Sequence, residues 1–227
     1  TRSLIVTGVQ TCALPILLII GDIHGKVNQF LDLVSKYRER SKDLIIQLGD
    51  LGFQKHWNEV INWCMENNEK NLRIIPGNHD DYTKYKYKIW LLKHLQVDDV
   101  WQEKFEDGSH KYFGLRGANS IDKRLRTEGK DWFVEEELTY EDLQYACDWY
   151  YFSKPKYMFS HTCPSSVKKQ LFGYNESSRT EQALQVMFEQ HQPEIHFFGH
   201  FHSSRDEIIN GTRFICLAEL QSYELNL

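Results

Sequence analysis

The chain has 227 residues, 41% of them hydrophobic, a formal net charge of −5 and a pI near 6.1. That apolar content suffices for one domain with a real core, and the acidic balance argues against a surface built to grip nucleic acid. No apolar run reaches the roughly 18 residues needed to span a bilayer, so no membrane span is expected. Five scattered cysteines without a C-x-x-C pair read as the reduced thiols of a cytoplasmic protein.

Val6–Ile16 resembles, residue for residue, the in-frame translation of a common sequencing adapter. Residues 1–16 are therefore expected to be a non-native scar, with 17–227 forming a single domain. A signal peptide is the rival reading, because Ala13–Ile20 is apolar after Arg2. That run is short, contains Pro15 and flows straight into a candidate ligand motif, so cleavage there would destroy the site. A leader upstream of the scar stays open.

Leu17–Ile20 predicts the first strand, and Lys26–Ser41 a helix with its apolar stripe at Val27, Phe30, Leu31, Val34 and Tyr37. Asp43–Leu48 predicts a second strand, His56–Lys70 a second amphipathic helix, and Leu72–Ile75 a third strand. Such a β-α-β-α-β order implies parallel strands with helical crossovers. Asp81–Leu95, rich in Tyr and Lys, reads as a helix or lid, and Val97–Phe105 with Lys111–Gly114 as a hairpin turning at Asp107-Gly108. Gly117–Val134 is polar and irregular. Thr139-x-x-Asp142 and Ser178-x-x-Glu181 are the N-terminal signals of two further helices. Ile195–Phe198, Glu207–Ile209 and Arg213–Leu217 complete the strands, the last two joined at Asn210-Gly211. The expectation is an α/β domain with two sheets.

Five of these strands end in a ligand-bearing motif: Gly21-Asp22-Ile23-His24, Gly49-Asp50, Gly77-Asn78-His79, His161 and Gly199-His200-Phe201-His202. In open α/β sheets the C-terminal edge of the strands is where ligands bind. Residues two apart in extended chain point to one face, so Asp22 with His24, and His200 with His202, can each reach one ion. Oxygen and imidazole donors together suit divalent transition metals, and Asp50 reads as a carboxylate shared by two of them. Taken singly, each motif has a plainer reading: Asp-x-His as a surface turn, Gly-Asp as a strand end, a lone His as a satisfied core group. In this order, each after an apolar strand, they point to one metal centre.

The set resembles the calcineurin-like metallophosphoesterase superfamily, with its D-x-H, GD, GNH[DE], H and GHxH motifs, over 17–227. Arg116–Asp122 and Trp132–Leu138 look like small bacterial and phage members. The resemblance implies a two-sheet β-sandwich core flanked by α-helices in four layers. It implies two divalent metal ions (Mn, Fe, Zn or Ni), the first held by Asp22, His24, Asp50 and His202 and the second by Asp50, Asn78, His161 and His200. It further implies that His79 is the general acid and that a hydroxide between the metals attacks a phosphomonoester or phosphodiester. One departure stands out: the protein Ser/Thr phosphatases continue the second motif as GDxVDRG, whereas here it reads Gly49-Asp50-Leu51-Gly52-Phe53-Gln54, without that Asp or Arg. Phosphate is then left to Arg116, Lys123, Arg124 or Arg126, with Arg116 and Asn78 the substrate-binding candidates, and Asp80 a candidate to orient His79. The substrate is a phosphate ester, with no membrane partner and no dedicated nucleic-acid-binding domain. The alternatives are a nucleotide phosphodiesterase or nuclease, with Tyr82, Tyr85, Tyr87 and Trp90 stacking on a base, a protein Ser/Thr phosphatase, or a catalytically silent binding scaffold.

Overall fold

The computed structural model describes residues 16–40, 44–82, 100–104 and 110–226. In chain order it has β1 (Ile16–Ile20), α1 (Val27–Arg40), β2 (Ile45–Gln47), α2 (Gln54–Glu66), β3 (Leu72–Ile74), β4 (Val100–Lys104) and β5 (His110–Leu115). Two 3₁₀ turns, Lys123–Leu125 and Val134–Glu136, follow, and then α3 (Tyr140–Ser153), β6 (Tyr157–Ser160), α4 (Ser165–Phe172) and α5 (Arg179–Gln190). The chain continues through β7 (Ile195–Phe198), β8 (Arg205–Ile209), β9 (Thr212–Cys216) and β10 (Ser222–Asn226).

The strands form two sheets, ordered β10-β1-β2-β3 and β4-β5-β6-β7-β9-β8. β1, β2 and β3 are parallel, as are β5, β6, β7 and β9, while β10, β4 and β8 pair antiparallel along the edges. Alternation along β1 explains the layering. Leu17 and Ile19 join Phe159, Phe197 and Ile215 in a core between the sheets, whereas Leu18 and Ile20 pack with Phe30, Val34 and Val60 of α1 and α2. Successive side chains of a strand point to opposite faces, so an unbroken apolar run marks a strand buried on both. On the far side Leu143, Tyr150 and Leu184 of α3 and α5 cover Phe113 and Met158. The result is the expected four-layer sandwich.

The helix starts follow their sequence signals. Ser178 and Glu181 form a reciprocal capping box, and the Thr139 hydroxyl accepts the Asp142 N–H. Asn210 and Gly211 both take positive φ, 51° and 89°, as a two-residue hairpin turn requires. Two elements went unread. α4 is eight residues long and opens on Pro164 without a side-chain cap, and β10 (Ser-Tyr-Glu-Leu-Asn) buries only Leu225, so neither shows a clear apolar period. Beyond Tyr82 the expected lid over Asp81–Leu95 lies outside the described residues, as does Asp107-Gly108. Of residues 1–16 only Ile16 is described, opening β1 opposite Asn226. No helix among the described residues is long and apolar enough to cross a membrane.

One buried group ties this core to pH. The Ser160 hydroxyl donates to the Thr162 carbonyl, so its oxygen accepts from His196 Nε2, 2.7 Å away. Burial lowers the pKa of His196 to about 3. The unfolded chain takes up that proton near pH 6.5 and the folded chain does not, so the stability linked to His196 is complete above 6.5 and drains as pH falls towards 3. Chemical denaturation of wild type and His196→Gln is expected to show wild type losing about 1.4 kcal/mol more per pH unit between pH 6 and 4. Parallel pH profiles for the two proteins would refute it.

Candidate metal centre

Both sheets aim their C-terminal ends at one point. Asp22 and His24 follow β1, Asp50 follows β2, Asn78 and His79 follow β3, His161 follows β6, and His200 and His202 follow β7. On one side, His24 Nε2 lies 2.8 Å from His202 Nε2, 3.8 Å from Asp22 Oδ2 and 3.7 Å from Asp50 Oδ2, and His202 Nε2 lies 3.2 Å from Asp22 Oδ2. Ligand atoms of these four residues all fall within 4.8 Å of one another. On the other side, His161 Nε2 is 3.2 Å from Asp50 Oδ1 and 3.1 Å from Asn78 Oδ1, and the His161 and His200 rings stand 5.1 Å apart. Asp50 thus divides its two oxygens between two clusters.

The donor set fits metal ions on four grounds. Asp50 Oδ2 is buried without a hydrogen-bond partner among the described residues, a costly state for a carboxylate unless a cation meets it. Asp22 and Asp50 are buried, and among the described residues their ion-pair partners are histidines alone. Burial works against charge on His161, yet Asp50 and Asp22 carry its pKa up to about 10, and the same negative field draws a divalent cation. Burial meanwhile lowers His200 to about 3, which keeps it neutral as a metal ligand must be.

Backbone strain gathers at the same place. His24, Asp50, His200 and His202 have φ of 47°, 55°, 69° and 48°, a left-handed region that few non-glycine residues occupy and that persists where surrounding structure enforces it. Glycine supplies space for the ligand side chains. A Cβ on Gly77 would overlap Asp50 Oδ1 and His161 Nε2, and one on Gly199 would overlap Asp22 Oδ1.

Behind the donors sits a set of orienting bonds that the motifs do not reveal. His161 Nδ1 donates to the Leu48 carbonyl at 2.7 Å, which fixes the ring with Nε2 facing the centre. Asn78 Nδ2 donates to Ser120 Oγ at 3.0 Å, and Ser120 gives its hydroxyl and backbone N–H to Glu136 at 2.7 and 2.8 Å. That relay turns Asn78 Oδ1 towards the centre. Asp80 does not orient His79. Its oxygens accept from the N–H groups of Asp50, Gly52 and Gly77 and from Trp57 Nε1, at 3.0, 3.0, 2.7 and 3.1 Å, and so stitch the β2 and β3 loops together. Glu136→Ala is expected to weaken metal binding on the Asn78 side about 10- to 100-fold, read by calorimetric titration. An affinity within twofold of wild type would remove Glu136 from the support of the site.

A family model described as calcineurin-like phosphoesterase matches residues 16–204, a span holding every donor above. The chain belongs to the calcineurin-like phosphoesterase family. Phosphate-ester hydrolysis by a metal-dependent site is its reaction class. Comparison with curated proteins gives no match. Among solved structures, the protein TT1561 of Thermus thermophilus is similar with a TM-score of 0.60 at 13% identity, over 94% of this chain and 99% of that one. The phosphopantetheinyl hydrolase of Mycobacterium tuberculosis is similar with a TM-score of 0.55 at 14% identity, over 91% and 90%. A putative 5′-nucleotidase from Staphylococcus aureus gives 0.58 at 13% identity, over 92% of this chain and 50% of that one. These likenesses establish the shared fold.

The phosphoesterase's candidate metal centre opens onto a cleft of about 520 Å³ whose lining includes Asp50, Asn78, His79, His200 and His202 together with Asn119, Ile121 and Arg126. Arg126 comes from the irregular stretch. Its Nη1 lies 2.9 Å from His79 Nδ1 and its Nη2 3.1 Å from His79 Nε2, while Asp122 Oδ2 braces it at 2.8 Å. Burial, then Arg126, lowers the His79 pKa against the pull of Asp50. Arg116 sits elsewhere. It is buried, donates to the Glu135 carbonyl at 2.6 Å, lies 4.9 Å over the Tyr82 ring and does not line the cleft. Its guanidinium and the Ala118 N–H both bond carbonyls of the Val134–Glu136 turn, which occupies this arginine away from the cleft. Tyr82 is equally buried and offers no face to a base. Tyr85, Tyr87 and Trp90 lie outside the described residues. Lys123 and Arg124 are exposed and do not line the cleft.

Proposed function

We propose that the domain, residues 17–227, is a two-metal phosphoric ester hydrolase. The observation that carries this reading is the division of Asp50 between two clusters, with Oδ1 beside His161 and Oδ2 facing His24. Asp22, His24 and His202 complete the first set, and Asn78, His161 and His200 the second. Two bound divalent cations would supply Lewis acidity towards phosphoryl oxygens and a hydroxide nucleophile at neutral pH.

The chain's own residues supply the rest. Asp22 and Asp50 hold the cations, while the orienting bonds to Leu48 and Ser120 keep His161 and Asn78 aimed, so little reorganisation accompanies the reaction. Arg126 takes the phosphoryl group, filling the place of the arginine absent from the second motif. In moving from His79 to phosphate it frees that imidazole, at the cleft wall, to give a proton to the leaving oxygen. Manganese, iron, zinc and nickel all suit this donor set. With Mn²⁺, the protein is expected to turn over p-nitrophenyl phosphate or bis(p-nitrophenyl) phosphate, and a chelator is expected to abolish turnover. A metal-replete protein inert towards both esters would support the scaffold reading instead.

A further inference from the structure

The cleft runs on past the metal centre into an aromatic wall that hydrolysis itself does not require. His200 leads into Phe201 with ring centroids 5.0 Å apart. Phe201 stacks on Phe172 at 4.0 Å and 12°, and Tyr174 lies near-parallel to Phe201, at 6.4 Å and 20°. All three rings line the cleft. Tyr174 is 59% exposed, and Ile121, which lines the same cleft, is 92% exposed. An aligned ring stack ending on the exposed Tyr174, with a second exposed apolar side chain in the same cleft, suits a flat ligand that continues the stack.

From this we infer that the site selects phosphate esters whose leaving group carries a planar heteroaromatic ring of nucleobase size, held between the Phe201–Tyr174 wall and Ile121. The inference rests on the hydrolase reading and adds the substrate class. Asn119 and Asn175 line the same cleft; the Asn119 oxygen accepts from Lys123 Nζ at 2.9 Å, and the amide nitrogens of both can donate to the polar edge of a heterocycle. The cleft volume is that of a small-molecule site. That volume takes a single nucleotide unit rather than a polymer.

Adenosine 5′-monophosphate and ribose 5-phosphate share the same primary phosphate ester and differ in the ring. Calorimetry on the Mn²⁺-loaded protein is expected to give a Kd at least tenfold lower for the nucleotide. Tyr174→Ala, and independently Ile121→Ser, are expected to shrink that ratio at least threefold. Equal Kd values for the two ligands, or a ratio unmoved by both variants, would overturn the ring subsite while turnover of bis(p-nitrophenyl) phosphate or p-nitrophenyl phosphate still stood. Failure to turn over either chromogenic ester removes the hydrolase reading, and the inference falls with it.

Discussion

Asp50→Asn is expected to lower kcat/KM on a chromogenic phosphate ester by about 10³-fold or more, the scale of removing a principal electrostatic stabiliser. The substitution isolates charge from shape. Asn tolerates the left-handed backbone that position 50 adopts at φ 55°, and its carbonyl oxygen can still accept the His79 N–H that Asp50 Oδ1 accepts at 2.8 Å. What disappears is one of the two buried carboxylates at the junction of the clusters, the one facing both His24 and His161. Bound metal per chain, counted by elemental analysis, should fall below the wild-type value. A variant with the full metal complement and undiminished turnover would show that Asp50 does not bridge.

His79→Ala should differ in metal content, keeping its metals while losing turnover. His79 lines the cleft and meets the ligand shell by ring contact, at 5.3 Å from the His24 ring. A positioned general acid contributes about 10²- to 10⁴-fold. That loss should appear on alkyl phosphates, whose leaving oxygen needs a proton, and should shrink on p-nitrophenyl phosphate, whose leaving group departs as an anion. The measurement is kcat across a series of leaving groups of rising pKa. Equal losses across the series would assign His79 a shaping role and leave proton delivery to another group.

The two variants also bear on Arg126. Asp122 and the Asp131 carbonyl hold its guanidinium at 2.8 and 3.1 Å, within reach of both His79 and the cleft. The second motif, lacking the arginine of the protein phosphatases, locates no such group. A side chain from an irregular loop some 47 positions along the chain meets His79 only once the sheets have packed.

How much of this was legible in the sequence follows from the physics of each part. Buried strands announce themselves, since a run such as Leu17–Ile20 has no other stable place than between two apolar layers. Ligand motifs are equally visible, because Asp-x-His and His-x-His spacings are local, although the left-handed turns at His24, His200 and His202 replace the extended backbone expected there and send His200 and His202 to different clusters. Short or half-exposed elements carried no signal: α4 has two turns, and β10 takes its place through backbone bonds to β1 rather than through a pattern of side chains.

The apolar strands, the five ligand-bearing ends and the candidate donors were therefore settled by the amino-acid sequence, through apolar period and local spacing. Packing alone decided which side chains support those donors. Ser120 and Glu136 behind Asn78, Asp80 between the β2 and β3 loops, Arg126 rather than Arg116 in the cleft, and the Phe172–Phe201–Tyr174 wall each join residues distant in sequence. A hydrogen bond or ring stack between remote positions leaves no periodic trace in a single chain, and exists only when two sheets bring their C-terminal edges together.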